Sequence, residues 1–252
     1  MKPGEFMIKS VNSGDLGIKI QTRPTILAPA RRIEFMRSYQ SDGDLVYDEE
    51  TYEDTSTTLS LAVSNTQFKD ADETVRRAKI RRAVHDLFKG GSYIPFEPYF
   101  DESVTYYVIL NGSLEFANKY YIGDHYVCTL PLRIKPYKLL KNYNEHTITN
   151  GTVLVNPSTE IARPIIKITG SGDITLSVGG KAFQMKGVSS SIIIDCELEQ
   201  AYKESGGVIT SNENNKVLTP TFPVLNVGNT TISWSGGSVT QVKIIERWRV
   251  LV

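Results

Sequence analysis

Ile174-Thr175-Leu176-Ser177-Val178, then Gly179-Gly180, then Lys181-Ala182-Phe183-Gln184-Met185 is a hairpin written out in sequence. Apolar and polar residues alternate on both sides of the glycine pair, so each arm has one face to bury and one to leave in water. Two adjacent glycines supply the positive φ angles that a tight two-residue turn requires. The same period-two pattern recurs at residues 126–135, where Tyr126, Cys128, Leu130, Leu132 and Ile134 alternate with Val127, Thr129, Pro131, Arg133 and Lys135. Val104 to Leu110, Asn111-Gly112 and Ser113 to Phe116 read as another hairpin. Thr230 to Trp234, Ser235-Gly236-Gly237-Ser238 and Val239 to Ile245 read as a third pair, and Trp248, Val250 and Val252 as one face of a final strand. The chain is therefore read as mainly β.

One segment departs from this pattern. Asp72 can cap a helix over about 72–89, Glu73 favours its first turn, and Gly90-Gly91 ends it. Its apolar stripe reads as Val75, Ala83, Val84, Leu87 and Phe88, with Ala78 and Ile80 near the edges. Charge also divides the chain. Residues 1–141 hold 19 basic and 19 acidic side chains, and residues 142–252 hold nine of each among many Ser, Thr, Gly and Asn. That shift, with the Pro136 to Gly151 stretch as a linker, places a boundary near residue 137. The expected domains are 1–136 and 137–252, the second a β-sandwich.

Composition narrows the function. Over 252 residues, 28 basic and 28 acidic side chains cancel, which argues against whole-chain attraction to nucleic acid or to an anionic membrane. The opening Met-Lys-Pro-Gly-Glu-Phe-Met has no apolar core of signal length, so no secretion signal is expected. The uncharged run at 217–242 is interrupted by Pro220, Pro223 and five glycine or asparagine positions, so it is not read as a membrane span. Cys128 and Cys196 sit in apolar strand-like stretches and read as buried thiols, and no CxxC is present. The sequons at Asn111, Asn150 and Asn229 read as accidental, two of them being Asn-Gly turns.

No catalytic, cofactor or metal motif appears, and no enzyme, cofactor or metal site is expected. His85 beside Asp86 reads as a solvated or capping histidine, His125 follows an expected turn at Gly123-Asp124, and His146 falls in the linker. Asp195, Glu197 and Glu199 alternate as if along one strand face, and a hydrolase pair would need carboxylates about 5 Å apart in a cleft. Trp234 and Trp248 raise a sugar-stacking reading but alternate with polar residues as core tryptophans do.

Two charge clusters remain. Asp42, Asp44, Asp48, Glu49, Glu50, Glu53 and Asp54 include no base and lack calcium-loop spacing. They read as an exposed loop or hairpin or, with Val46, Tyr47 and Tyr52 as apolar anchors, as an interaction arm reaching over about 41–58. Arg76, Arg77, Lys79, Arg81 and Arg82 form a basic helix face, read as solvated, as DNA-binding, or as the counterpart of the acidic arm on a neighbouring subunit. The candidate interface residues are Asp44, Val46, Tyr47, Tyr52, Arg76, Arg77 and Arg81.

The C-terminal residues carry a family resemblance. Phe222-Pro223, Leu225, Gly228-Asn229, Ile232, Trp234, Gly236, Val242, Ile244 and Arg247-Trp248-Arg249, in that order, resemble the closing signature of siphophage distal tail (Dit) proteins. Ile18 to Gln21 and Ile33 followed by charged strands resemble the family's opening sandwich, and the helix near residue 80 followed by Tyr93-Ile94-Pro95-Phe96 matches its lone helix. Order and length together cover essentially the whole chain, most like the short type of Bacillus phages. The resemblance implies an N-terminal β-sandwich with one helix and a β-hairpin arm, forming a hexameric ring that stacks with others. It implies a C-terminal galectin-like, carbohydrate-binding-module-like sandwich outside that ring. The implied role is a structural baseplate hub in the virion at the tail tip, made in the host cytoplasm. Its partners would be further copies of itself, the major tail tube protein and the tail-associated tip protein (Tal), with DNA only passing through the channel and no membrane. The length leaves no room for the inserted sugar-binding modules of long relatives. The alternative is a host-surface carbohydrate-binding protein using the C-terminal sandwich.

Overall fold

The computed structural model describes residues 1–37, 39, 42–64, 67, 68, 70, 72–117, 125–141 and 144–252, and of His125 the backbone alone. Two compact units emerge. One comprises Met1–Lys138 with Leu251–Val252, the other Leu139–Val250.

The first unit holds β1 (Phe6–Ile8), β2 (Val11–Asn12), β3 (Ile18–Thr22), β4 (Arg31–Arg37), β5 (Asp44–Tyr52), β6 (Thr55–Ser64), α1 (Glu73–Phe88), β7 (Ile94–Pro98), β8 (Val104–Leu110), β9 (Glu115–Phe116) and β10 (His125–Ile134). β11 (Tyr137–Leu140) carries the chain out of it. Its main sheet is antiparallel in the order β2-β1-β7-β8-β10-β6-β3. The sheet curls until its ends meet: the Ile20 amide of β3 donates to Gly4 O at 2.7 Å, just ahead of β1. Alternation along β6 and β10 puts Leu59, Leu61, Val63, Cys128, Leu130, Leu132 and Ile134 inside. β10 pairs with β6 over its whole length, from His125↔Ser64 to Ile134↔Thr55, as the period-two reading required.

The helix starts where the sequence places it, with the Asp72 carboxylate accepting the Thr74 amide at 2.7 Å. It ends in extended backbone at Lys89, before the glycines. Its buried face is Ile80, Val84, Leu87 and Phe88, an i, i+4, i+7, i+8 stripe. Ile80 is therefore central, and Val75, expected in the stripe, is exposed. Phe88 packs on Phe6 at 6.1 Å, and Phe6 on Phe96 at 5.3 Å.

The Asn111-Gly112 hairpin does not form. β8 and β9 both lie along β10, Leu110 opposite Leu132 and Phe116 opposite Cys128, as one interrupted strand. Pro131 explains the interruption. A residue in an antiparallel ladder points its N–H and C=O at the same neighbour, and proline has no N–H to offer. Asn111 thus has one bond there, its amide to Pro131 O at 3.0 Å.

The second unit holds β12 (His146–Ile148), β13 (Thr152–Asn156), β14 (Ile165–Val178), β15 (Lys181–Val188), β16 (Ser191–Asp195), β17 (Gln200–Ser205), β18 (Val208–Asn212), β19 (Gly228–Ser235) and β20 (Ser238–Ile245), with β21 (Arg249–Leu251) leaving it. It is a β-sandwich whose two sheets share one long strand. The first half of β14 pairs with β16 and β20, and the second half with β15 and β19. Ile166, Ile168, Ile192, Ile194, Val242 and Ile244 come from one sheet and meet Leu176, Phe183, Met185 and Ile232 from the other in a single core. The β14–β15 hairpin forms with Val178 opposite Lys181, and Gly179 and Gly180 take φ of 56° and 80°.

The third expected hairpin is instead a corner. β19 and β20 run consecutively along β14, Ser235 opposite Thr175 and Ser238 opposite Ser171, switching sheets between them. Two chains bending side by side need bare backbone. A Cβ on Gly170 would stand 2.5 Å from Ser238 O, and one on Gly237, at φ 55°, would stand 2.6 Å from Ser171 O.

His146 lies in β12, opposite Ile244, and not in a linker. Its Nε2 is 3.4 Å from the Glu246 carboxylate. Trp248 is buried at 1% exposure, which removes it from sugar stacking, and Trp234 is half-buried against the same core. Cys128 and Cys196 are buried free thiols, and burial pushes them up to about 11 and about 12. No helix among the described residues is long and apolar enough to cross a membrane.

Gly170→Ala is expected to destabilise the protein by roughly 1–3 kcal/mol, because the Ser238 backbone cannot yield without opening the corner. Gly91→Ala meets nothing within 4 Å and is expected to stay within about 0.5 kcal/mol. Urea unfolding of both variants checks the contrast.

Candidate assembly surface

β4 and β5 form a two-stranded sheet of their own, paired from Arg37↔Asp44 through Ile33↔Asp48. Every β4 residue and every β5 residue except Tyr52 is exposed. The acidic run therefore sits on a hairpin arm, and its partner strand supplies bases that the reading of 42–54 left out. Arg31 Nε donates to both Asp48 oxygens, at 2.9 and 2.8 Å, and Arg32 is 3.7 Å from Glu49. Arg31 also lies over the Tyr52 ring at 5.7 Å. Glu50, at φ 54°, marks the bulge where the register shifts, and its amide donates to Asp48 Oδ1 at 2.9 Å.

The arm is moored at its base. The Glu53 amide donates to Ala30 O at 2.8 Å, and Tyr52 meets Tyr137 edge-on at 6.0 Å. Asp54 accepts from Arg133 Nε at 2.7 Å and from the Tyr93 hydroxyl. Burial and that bond to Asp54 push the Tyr93 phenol up to about 12.

Beyond the base, large apolar side chains stand in water: Phe35 at 67%, Val46 at 63%, Leu45 at 57% and Tyr47 at 55% exposure, with Ile33 and Met36 also exposed. Fully burying a side chain of this size is worth roughly 1.5–3 kcal/mol. Val46, Tyr47 and Asp44 are thus on the arm as expected, whereas Tyr52 belongs to its base. Ile33, Phe35, Met36 and Leu45 were missed, although Ile33 and Phe35 alternate just ahead of the acidic run.

On α1, Arg77 donates to Glu73 at 2.6 Å and lies over the Tyr126 ring at 5.8 Å, while Arg81 lies over Phe116 at 5.3 Å. Aromatics from β9 and β10 therefore do support the arginines, which the helix sequence alone could not reveal. Arg76 is half-buried. Lys79 pairs with Asp70 at 2.7 Å, and Arg82 is 3.7 Å from Asp86. Glu73, Thr74, Arg77, Ala78 and Arg81 border a shallow depression of about 560 Å³.

The carboxylates considered for hydrolysis have structural partners. Asp195 ends β16, is 2% exposed, and holds Arg247 at 2.8 Å together with the Glu197 and Leu198 amides. Glu197 and Glu199 lie in the turn that follows, not along the strand, and Glu199 pairs with Arg163. His85 is exposed beside Asp86, and the turn at Gly123-Asp124 lies outside the described residues. Among the described residues, no group of three His, Cys, Asp or Glu could hold a metal ion.

No protein-family model and no curated protein matches the chain. Solved structures do. The SPP1 Dit protein, titled a paradigm of the hub adsorption apparatus in phages infecting Gram-positive hosts, superposes with a TM-score of 0.68 at 16% identity, over 99% of this chain and 100% of that one. A chain of the phage P2 baseplate, in its activated conformation with calcium, gives 0.55 at 10% identity over 95% and 96%. The fold is thus Dit-like along its whole length.

The Asp48 carboxyl is held below its ordinary value, first by Arg31 and then by the Glu50 amide. Its support for the hairpin is present above the ordinary carboxylate value of about 3.9 and is lost as pH falls through the lowered one. Amide exchange over 44–52, corrected for the intrinsic pH dependence, is expected to accelerate only on the acid side. Arg31→Ala is expected to weaken that acid dependence, leaving only the part due to the Glu50 amide, and to leave the global unfolding midpoint unchanged.

Proposed function

We propose that this chain is a structural tail-tip protein of a phage, forming a hexameric hub ring. The ring joins the tail tube to the tail-associated tip protein and leaves a central channel for DNA. The observation that carries the reading is the full-length likeness to the SPP1 Dit protein, which leaves neither chain with an unmatched domain. The uncovered arm supports it independently, since a subunit built for a closed ring needs an element that reaches its neighbour. The interface residues proposed are Asp44, Val46, Tyr47 and Tyr52 on the arm and at its base, with Arg76, Arg77 and Arg81 on α1. The first unit, about 1–136, makes the ring, and the second, about 137–252, lies outside it. In the virion the protein sits at the tail tip after synthesis in the host cytoplasm.

Charge fits the role. Electrostatic attachment to DNA scales with the phosphates that a protein neutralises. A chain with zero net charge does not compel such attachment, so DNA can pass.

Native mass spectrometry of the purified protein is expected to give six copies of a 28.1 kDa chain. Replacing residues 31–52 with a short Gly-Ser linker is expected to yield a folded monomer. A wild-type monomer at high concentration that binds glycans would overturn the reading in favour of a carbohydrate-binding protein.

A further inference from the structure

This inference stands apart from the ring reading and concerns the two Asn-Gly pairs, whose chemistry the assembly surface leaves unused. The amide nitrogen that follows an asparagine can attack the asparagine's own side-chain carbon, and a following glycine leaves that nitrogen unshielded because it has no Cβ. The reaction makes two demands. The asparagine side chain must be free to swing onto the backbone, and the attacking nitrogen must not be tied up as a hydrogen-bond donor. Asn111-Gly112-Ser113 and Asn150-Gly151-Thr152 are nearly equal as sequences, and Asn111, Gly112, Asn150 and Gly151 are all exposed. Sequence and exposure therefore do not separate the two sites.

Hydrogen bonding does. Asn150 stands in for a strand residue: its Nδ2 donates to Trp234 O at 2.9 Å, and its Oδ1 accepts the Trp234 amide at 2.9 Å. The attacking nitrogen is held as well, since the Gly151 N–H donates to Ile232 O at 2.9 Å. These bonds must break before Gly151 N can reach Asn150 Cγ. Asn12, followed by the small Ser13, is likewise engaged, with its Oδ1 accepting the Gly14 amide at 2.9 Å and Ser13 buried. At Asn111 the position is reversed. Its main-chain amide is anchored to Pro131 O, but among the described residues no hydrogen bond engages its side chain or the Gly112 N–H. The cause is the break between β8 and β9 opposite Pro131, which leaves Gly112 out of the ladder.

We propose that Asn111 is a self-modification site, converted in the folded protein to aspartate and isoaspartate while Asn150 is protected. Gly112 N gives up its proton and bonds to Asn111 Cγ, the Cγ–Nδ2 bond breaks, and ammonia leaves with that proton. Water then opens the cyclic imide. Cleavage at Cγ gives aspartate. Cleavage at the main-chain carbonyl gives isoaspartate, in which the chain runs on through the former side chain. Water is the only co-reactant. Either product adds one acidic group to the 28 already present. The isoaspartyl form also adds a methylene to the main chain between Leu110, opposite Leu132, and Phe116, opposite Cys128. Phe116 is the ring over which Arg81 lies.

The test uses the whole wild-type chain, held in mildly alkaline buffer and then digested. Fragmentation of the peptides localises the amide-to-acid mass change at each site, and labelled methyl transfer by an isoaspartyl methyltransferase marks the isoaspartyl product. Asn111 is expected to convert at least roughly tenfold faster than Asn150, the factor carried by the hydrogen bonds that Asn150-Gly151 must break. In urea, where those bonds are gone, the two rates are expected to agree within about threefold. Asn111→Gln, whose longer side chain must close a larger ring, is expected to lose the methyl label at this site. Equal rates in the folded protein, or a faster Asn150, would overturn the inference. So would an unchanged Asn111 in folded protein whose urea-unfolded sample converts.

Discussion

A two-stranded sheet with apolar side chains on both faces has no core of its own, and that condition governs this molecule. Phe35, Val46, Leu45 and Tyr47 stand in water on a hairpin that, among the described residues, pairs with no other strand. Isolated hairpins are marginal, so this one depends on cross-strand pairs such as Arg31–Asp48 and on its moorings at Ala30, Asp54 and Tyr137. The first unit reads as the rigid mount for that element. Its sheet closes on itself between Ile20 and Gly4, and α1 packs against it through Ile80, Val84, Leu87 and Phe88.

Neutrality acquires a meaning at this scale. A balance of 28 against 28 looks featureless in composition, yet it is the sum of an arm, residues 31–52, at −3 and a body at +3. Opposite blocks on one chain favour contact between copies over contact with nucleic acid. The second unit contributes none of these blocks, since its carboxylates are largely spent internally. Glu145 bridges Lys167 and Lys243 at 2.6 and 3.1 Å, and Asp195 fixes Arg247. Its sandwich is held by the glycine corner where β14 passes from one sheet to the other beside β19 and β20.

Local pattern was legible in the sequence where local pattern decides. Alternation placed β10, the Gly179-Gly180 turn placed the β14–β15 hairpin, and Asp72 placed the helix start. What failed was pairing. Asn111-Gly112 and Gly236-Gly237 carry the composition of hairpin turns, but their flanking strands follow a third strand, β10 or β14, and nothing local encodes that partner. Pro131 and the close approach of Gly170 to Ser238 decide those two sites, and both are long-range facts. The acidic run was legible as an arm, whereas its counter-charges on β4 and the aromatic beds under Arg77 and Arg81 come from residues distant in sequence. Val75 was misplaced because a one-residue rotation of the stripe toward Ile80 leaves the helical period intact.

The central claim is that the arm is covered by neighbouring copies in a ring. Electron cryomicroscopy of the purified protein tests it most directly. The account predicts closed rings in which residues 31–52 lie against neighbouring copies, with Phe35 and Leu45 both out of water. Single subunits, or rings whose arms project free into solvent, would contradict it.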